Sequence, residues 1–206
     1  MGTAHQIEKT LIDAGISYIA GVDEAGRGAC AGPLVVAAVI LKDPYSSVLA
    51  ALRDSKQLSQ HQREKLFPVI VEAALSYSII EIPSTVIDDR GVHAANIDGM
   101  RRAVHSLSVQ PTYVLTDGYP IPGLGFPTLG VWKGDQVAPS ISAASILAKV
   151  TRDQLMCKLA LEFPQYGFEK HKGYSTSGHV KALENFGPTN SHRRSFSNVA
   201  AFINNI

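Results

Sequence analysis

Two kinds of apolar run share this chain, and their periods predict its elements. Ile7, Leu11 and Ile12 fall at near-helical spacing before Gly15, which predicts a short opening helix. Ile16 to Val22 and Leu34 to Leu41 read as strands, and the second, LVVAAVIL, is so continuously apolar that both its faces should be covered. The Gly-rich residues between them close on Gly32-Pro33, a turn signal. Ser59, with Gln62 three residues on, forms a capping box, so a helix should start there and turn Leu66, Phe67, Ile70, Val71 and Ala74 inward. A strand over Leu75 to Ile82 comes next, closed by Pro83. Val92, Ala95, Met100, Ala103, Val104 and Leu107 lie close to a helical stripe over 91–107. Tyr113 to Thr116 is a short strand ending on Asp117-Gly118, GYPIPGLGFP is loop, and LGVW at 129–132 is a further strand. A long helix from about Ser140 to Leu161 turns Ile141, Ala144, Ala148, Leu155 and Leu159 to the core. After a Gly-rich break at 167–173, a shorter helix around His179 to Asn185 stops at Gly187-Pro188.

A hairpin of strands followed by strands alternating with helices predicts an α/β fold, a mixed central β-sheet flanked by helices. The division expected is a main domain over 1–160 and a C-terminal helical extension over 161–206. With 206 residues, 45% of them hydrophobic, the chain can bury a substantial core. The formal charge of +1 neither announces nor excludes a polyanionic partner. Local charge says more: between Lys149 and Arg194 stand eight basic and four acidic residues, with His171, His179 and His192 among them. Cys30 and Cys157 sit among small or apolar neighbours and read as free thiols in a reducing compartment. No segment approaches the roughly 18 apolar residues of a membrane span, and the first fifteen or so residues lack the apolar core of a signal peptide. A soluble, cytoplasmic protein is expected, with no membrane partner and as a monomer.

The acidic residues gather at predicted strand ends. Asp23 and Glu24 close the first strand in GVDEAGRG, Asp117 closes a later one in YVLTDG, and Asp135 lies just beyond the next in VWKGD. Any one of these Asp residues can equally be a turn former bonding its own backbone; four acidic residues at sheet ends suggest a common site. In a regular strand adjacent side chains point to opposite faces, so the backbone should leave regular pleating at Asp23 and Glu24 for both to serve it. A cluster of oxygens without Cys or His suits Mg²⁺ or Mn²⁺ and not zinc. Cations also relieve the repulsion that crowded carboxylates impose on one another. Two ions about 3.5–4 Å apart can activate a water on one side of a phosphodiester and stabilise the leaving oxygen on the other. Other phosphate motifs fit poorly: GRG is not GxGxxG, the residues after it are strand-like, and GxxxxGK[ST] and GxSxG do not occur.

Seven ordered blocks carry a resemblance: GVDEAGRG at 21, DSKQLS at 54, TDG at 116, KGD at 133, ISAASILAKVTRD at 141, FPQYGFEKHKGY at 163 and HRRSF at 192. Together they resemble the bacterial ribonuclease HII family. The resemblance implies an RNase H-like fold over 1–160, with the extension over 161–206 contributing to substrate binding. It implies cleavage of RNA in RNA–DNA hybrids, especially on the 5′ side of a ribonucleotide embedded in duplex DNA, leaving 5′-phosphate and 3′-hydroxyl ends. Asp23, Glu24, Asp117 and Asp135 match the family's catalytic, metal-binding carboxylates, for two Mn²⁺ or Mg²⁺ ions with substrate bound. Asp153 of the KVTRD block competes for the fourth place; it follows a basic mid-helix run and has Arg152 or Lys149 as alternative partners. Gly26, Arg27 and Gly28 match the loop that reads the ribose, and Tyr174 the aromatic that stacks on the adjoining deoxyribose. Lys56, Lys149, Lys172, Arg193 and Arg194 are candidate phosphate contacts, with Ser55 and Ser142 as hydrogen-bond donors to the nucleic acid. His171 or His192 would serve substrate binding.

Overall fold

The apolar run Leu34–Leu41 (β2) lies second from the edge of a five-stranded sheet, and all eight of its residues are buried. The computed structural model describes residues 6–50, 52 and 58–203. In chain order the elements are α1 (Gln6–Asp13), β1 (Ile19–Ala25), β2, α2 (Gln60–Ala73), β3 (Ala74–Ile82), α3 (Ser84–Arg90), α4 (Val92–His105), β4 (Tyr113–Asp117) and β5 (Thr128–Val131). Then come α5 (Gly134–Val137), the long α6 (Pro139–Glu162), a 3₁₀ turn (Pro164–Tyr166), α7 (Phe168–His171), α8 (Ser177–Phe186) and α9 (Ser197–Ala200). Strand order is β3-β2-β1-β4-β5; β2 is antiparallel to both β1 and β3, and β4 and β5 run parallel to β1. This is a mixed α/β sheet of RNase H-like type flanked by helices, as the periodicity and the motifs implied.

Alternation along β2 explains the two covered faces. Leu34, Val36, Ala38 and Ile40 join Ala20 and Val22 of β1 against Ile87, Ala95, Met100 and Val104 of α3 and α4. Val35, Ala37, Val39 and Leu41 face Ile70 of α2 and Ala143, Leu147 and Val150 of α6 on the other side. Each fully buried Val, Leu or Ile contributes roughly 1.5–3 kcal/mol, so a strand covered twice anchors both layers. Gly21 has no side chain because a Cβ there would overlap the backbone of Ser140 and Ile141, which is how closely α6 crosses β1.

Predicted boundaries move where local chemistry decides. The capping box forms as expected, with Ser59 Oγ accepting from Gln62 N–H and Gln62 Oε1 from Ser59 N–H. Ala74, expected on the helix face, instead begins β3, its N–H bonded to Ile70 O in an extended conformation. The short helices α3 and α5 carry too few turns to show a period in the sequence. At the start of α6, buried Glu8 of α1 accepts the Ser140 N–H and hydroxyl at 3.0 and 2.9 Å. Burial pushes its pKa up to about 7 against those bonds. Cys30 and Cys157 are free thiols, the first buried and the second partly so. The segment after α6 builds a further apolar cluster from Tyr166, Phe168, Ala182 and Leu183, which closes over Ala31 and Met156. It therefore packs onto the loop that leaves β1.

Candidate active site

β1 carries Asp23 and Glu24 in regular pairing, opposite Ala37 and Val36, and the strand continues to Ala25 opposite Val35. The expected break in pleating does not occur, because β2 offers a continuous buried partner through this stretch. The chain leaves the sheet only at Gly26, at φ +89°. The two carboxylates accordingly lie on opposite faces: Asp23 towards α6, where the Ser145 side chain hydrogen-bonds it, and Glu24 towards Asn96 of α4.

What unites them is the neighbouring parallel strand. β4 pairs with β1 up to Val22 opposite Thr116, so Asp117 ends β4 level with the acidic pair. Its charge acts on both faces at once. Asp23 is held well above the usual carboxylate range, first by burial, then by Glu24 and Asp117. Glu24 is raised by burial and Asp117, and Arg27 opposes the shift, its Nη1 3.7 Å from Glu24 Oε1. Asp117 Oδ1 also accepts the Gly134 N–H at 2.6 Å, which ties the end of β4 to the segment bearing Asp135.

Asp135 lies just beyond β5, past the left-handed Lys133 (φ 54°) and Gly134, and is buried within the short helix α5. Asp153, also buried, pairs with Lys149 Nζ at 2.7 Å, so Lys149 serves a carboxylate here instead of standing free for phosphate. Among the described residues no group of three or more His, Cys, Asp or Glu side chains is already arranged to hold an ion. The expected four-carboxylate cage is therefore not preassembled. The donor set still fits a hard cation: the oxygens are all carboxylate, and burial together with neighbouring like charge disfavours ionisation of Asp23 and Glu24. An open cavity of about 300 Å³ adjoins them, lined by Glu24, Arg27, Asp117, Gly118, Tyr119, Trp132 and Lys133.

The glycine loop is braced from behind. A Cβ on Gly26 would overlap the Arg152 guanidinium, whereas Gly28 faces open space. Arg152 is fully buried and donates to Pro33 O and Ala31 O at 2.9 and 3.1 Å. Its guanidinium carbon lies 5.6 Å from the Tyr174 ring centroid, while Tyr174 itself is 41% exposed. A two-histidine relay fixes the tyrosine backbone. Thr189 N–H donates to His192 Nδ1, which leaves His192 Nε2–H for His179 Nε2 at 3.0 Å and His179 Nδ1–H for Tyr174 O at 3.0 Å. Burial and the neighbouring histidines lower His192 to about 3, so the relay is neutral.

Several candidate contacts to nucleic acid are placed elsewhere. Arg193 is fully buried and donates to Gly32 O and Arg27 O, so it holds the glycine loop and does not reach solvent; only Arg194 of the pair is exposed. Lys172 is 8% exposed with Nζ 3.1 Å from Cys157 Sγ, and the buried Ser142 donates to Leu52 O. His192 is likewise too deep to touch a ligand. Ser55 and Lys56 lie outside the described residues. Three neighbours of the site, Asn96, Tyr119 and Arg152, escaped sequence reasoning: Asn96 bonds Glu24 and donates to the Tyr119 hydroxyl at 2.7 Å, the Tyr119 ring lies 5.3 Å beneath Arg27, and Arg152 braces Gly26 and Tyr174. The available signals were a polar residue inside each apolar helix stripe: Asn96 beside Ala95, and Arg152 four residues from Ala148.

A family model described as Ribonuclease HII matches residues 20–199. A ribonuclease HII of Mycobacterium ulcerans (strain Agy99) is 56% identical over 193 residues, covering 94% of this chain and 81% of its own length. Among solved structures, the ribonuclease H2 from Pyrococcus horikoshii OT3 is similar with a TM-score of 0.79 and 27% identity, over 91% of this chain and 97% of that one. The structure of the PCNA:RNase HII complex from Archaeoglobus fulgidus matches with a TM-score of 0.76 and 26% identity, over 87% and 95%. Sequence and fold agree over most of the chain: it belongs to the ribonuclease HII family, enzymes that hydrolyse RNA in RNA–DNA hybrids.

Proposed function

We propose that this enzyme cuts on the 5′ side of a single ribonucleotide embedded in duplex DNA, leaving 5′-phosphate and 3′-hydroxyl ends. The observation that carries the reading is the crowding of Asp23, Glu24 and Asp117 at the ends of two adjacent parallel strands, where burial raises Asp23 and Glu24 and the Asp117 charge adds to both shifts. Asp23, Glu24, Asp117 and Asp135 would hold two divalent ions, Mn²⁺ or Mg²⁺. Bound there, such ions supply activation of the attacking water and charge stabilisation of the departing 3′-oxygen. Asp153, already neutralised by Lys149, is the weaker candidate for the fourth place.

The chain's own groups supply recognition. Gly28 leaves open space where a side chain would stand, so backbone can approach the ribose 2′-hydroxyl, the group that separates RNA from DNA. Tyr174, exposed but braced by Arg152 and the histidine relay, offers a fixed ring face to the next sugar. Packing there leaves little room for a second 2′-hydroxyl and so favours an RNA–DNA junction. Arg27 sits between Glu24 and Tyr119, placing a cation at the mouth of the acidic site.

The test is cleavage of a duplex with one embedded ribonucleotide and of its all-deoxy counterpart, in Mg²⁺ or Mn²⁺, by the wild type and Asp117→Asn. Cleavage confined to the ribonucleotide duplex and lost in the variant is expected. Comparable rates for wild type and variant would sink the site assignment, and cutting of the all-deoxy duplex would sink the ribose reading.

A further inference from the structure

Trp132 is 80% exposed, an unusual place for an indole, and it lines the same cavity as Glu24 and Asp117. A single exposed apolar side chain is ordinary; one at the rim of an acidic cleft calls for an account. Sheet order gives its position. Val131 ends β5, which neighbours β4, which neighbours β1, so the Trp132 backbone lies two strand spacings, roughly 10 Å, from the strand of Asp23 and Glu24. Tyr174 belongs to the other flank: Gly173 O accepts the N–H groups of Cys30 and Ala31, in the connection from β1 to β2. Two exposed aromatic rings thus stand on opposite sides of the carboxylates. Beside Trp132 the chain turns sharply through Lys133, left-handed and exposed, which sets a cation next to the indole.

We infer that Trp132 is a second stacking platform for the substrate strand, on the side of the scissile phosphate away from Tyr174, with Lys133 contacting the adjoining phosphate. The inference rests on the function proposed above and adds a specificity contact to it. An aromatic face accepts any base or sugar, and a neighbouring ammonium answers the backbone charge. A span of roughly 10 Å is about three nucleotide steps of a stacked strand. A strand crossing the carboxylates therefore reaches the indole within about three nucleotides of them. Gripping the strand on both sides of the cut would hold the scissile phosphate in register between the two contacts.

The chain has one tryptophan, so intrinsic fluorescence reports on Trp132 alone. Titrating a hybrid into the Asp23→Asn protein should quench and shift that emission, with the midpoint found independently from polarisation of a labelled hybrid. Trp132→Ala, made in the otherwise wild-type enzyme, should raise KM about tenfold with kcat within about twofold, and Trp132→Phe should recover most of the loss. Lys133→Ala should reduce the slope of log affinity against log salt by about one. Emission unchanged at hybrid concentrations that saturate polarisation, or an unaltered KM for Trp132→Ala, overturns the inference while leaving cleavage intact. Failure of the wild type to bind or cut any hybrid overturns the proposed function and this inference with it.

Discussion

The molecule buries charge in two places and treats it in opposite ways. At the end of β1 and β4, Asp23 is raised by burial and by the charges of Glu24 and Asp117, and Glu24 by burial and Asp117, with Arg27 the cation nearest Glu24. Behind the glycine loop, Arg152 and Arg193 are more deeply buried still, but their guanidinium groups meet the carbonyl oxygens of Arg27, Ala31, Gly32 and Pro33. Burial is common to both sets; the partners differ. Fixed carbonyls accept from both arginines within the fold, Arg152 Nη1 excepted, so those side chains build the loop. The acids are left with a repulsion that an added cation relieves, so they are the ones disposed to take a ligand.

The sharpest way to break that contrast is Asp23→Asn. Cleavage should fall by more than about 100-fold, while the metal-free protein melts at an equal or higher temperature because a repulsion has gone. Calorimetry with added Mn²⁺ supplies a readout besides activity. The wild type should gain about 2.7 kcal/mol at a hundredfold excess over Kd and the variant much less. A variant that melts earlier without metal would show the acids to be structural after all.

Arg193→Met tests the other side. It leaves the Gly32 and Arg27 carbonyls unmet inside the protein and should cost roughly 3 kcal/mol in denaturant unfolding. Arg194→Met, which removes an exposed neighbour, should change stability by less than about 0.5 kcal/mol.

Glu8 sharpens the comparison as a buried acid whose partners, the Ser140 N–H and hydroxyl, are both donors. Its pKa in the fold, about 7, exceeds the ordinary value of 4.5, so the folded state binds the extra proton between those limits. Its contribution is greatest below pH 4.5 and is lost as pH rises through 7. Glu8→Gln keeps an acceptor for Ser140 and should remove that loss, so at pH 8 it gains up to about 3 kcal/mol over the wild type, read from unfolding curves across pH.

His192 runs the opposite way. With a folded pKa of about 3 against 6.5, its stabilisation is complete above 6.5 and drains away as pH falls towards 3. By about pH 5 the loss should be about 2 kcal/mol, and Tyr174 should loosen with it, because the relay to its carbonyl starts at this ring.

Much of this architecture was legible residue by residue. The unbroken LVVAAVIL announced a strand covered on both faces, and Ser59 with Gln62 fixed the start of α2 to the residue. Asp23, Glu24 and Asp117 were legible as acids at strand ends, but their geometry was not. Strand periodicity correctly places Asp23 and Glu24 on opposite faces; it is silent about which strand ends beside them, and β4 arrives from far downstream. Arg193 and Arg194 show the other limit. Adjacent in a segment without helical or strand period, they carry no sequence signal of which is inside. Arg152 did carry one, a cation in step with Ala148 and Met156 on the inner stripe of α6, yet a basic residue on a long helix is readily taken for solvated surface.

The way residues 30–32 are pinned bears on when the enzyme becomes active during its synthesis. Cys30 and Ala31 N–H bond to Gly173 O, Gly32 N–H bonds to Ser191 O, and Arg193 closes the set with its N–H on Cys30 O. A nascent chain can complete the sheet through β5 while the glycine loop still lacks all of these partners. Contacts spanning so much sequence form late, so the loop proposed to read the ribose would be set only once residues through Arg193 are in place. A chain lacking those residues would carry Asp23, Glu24 and Asp117 without a fixed glycine loop beside them.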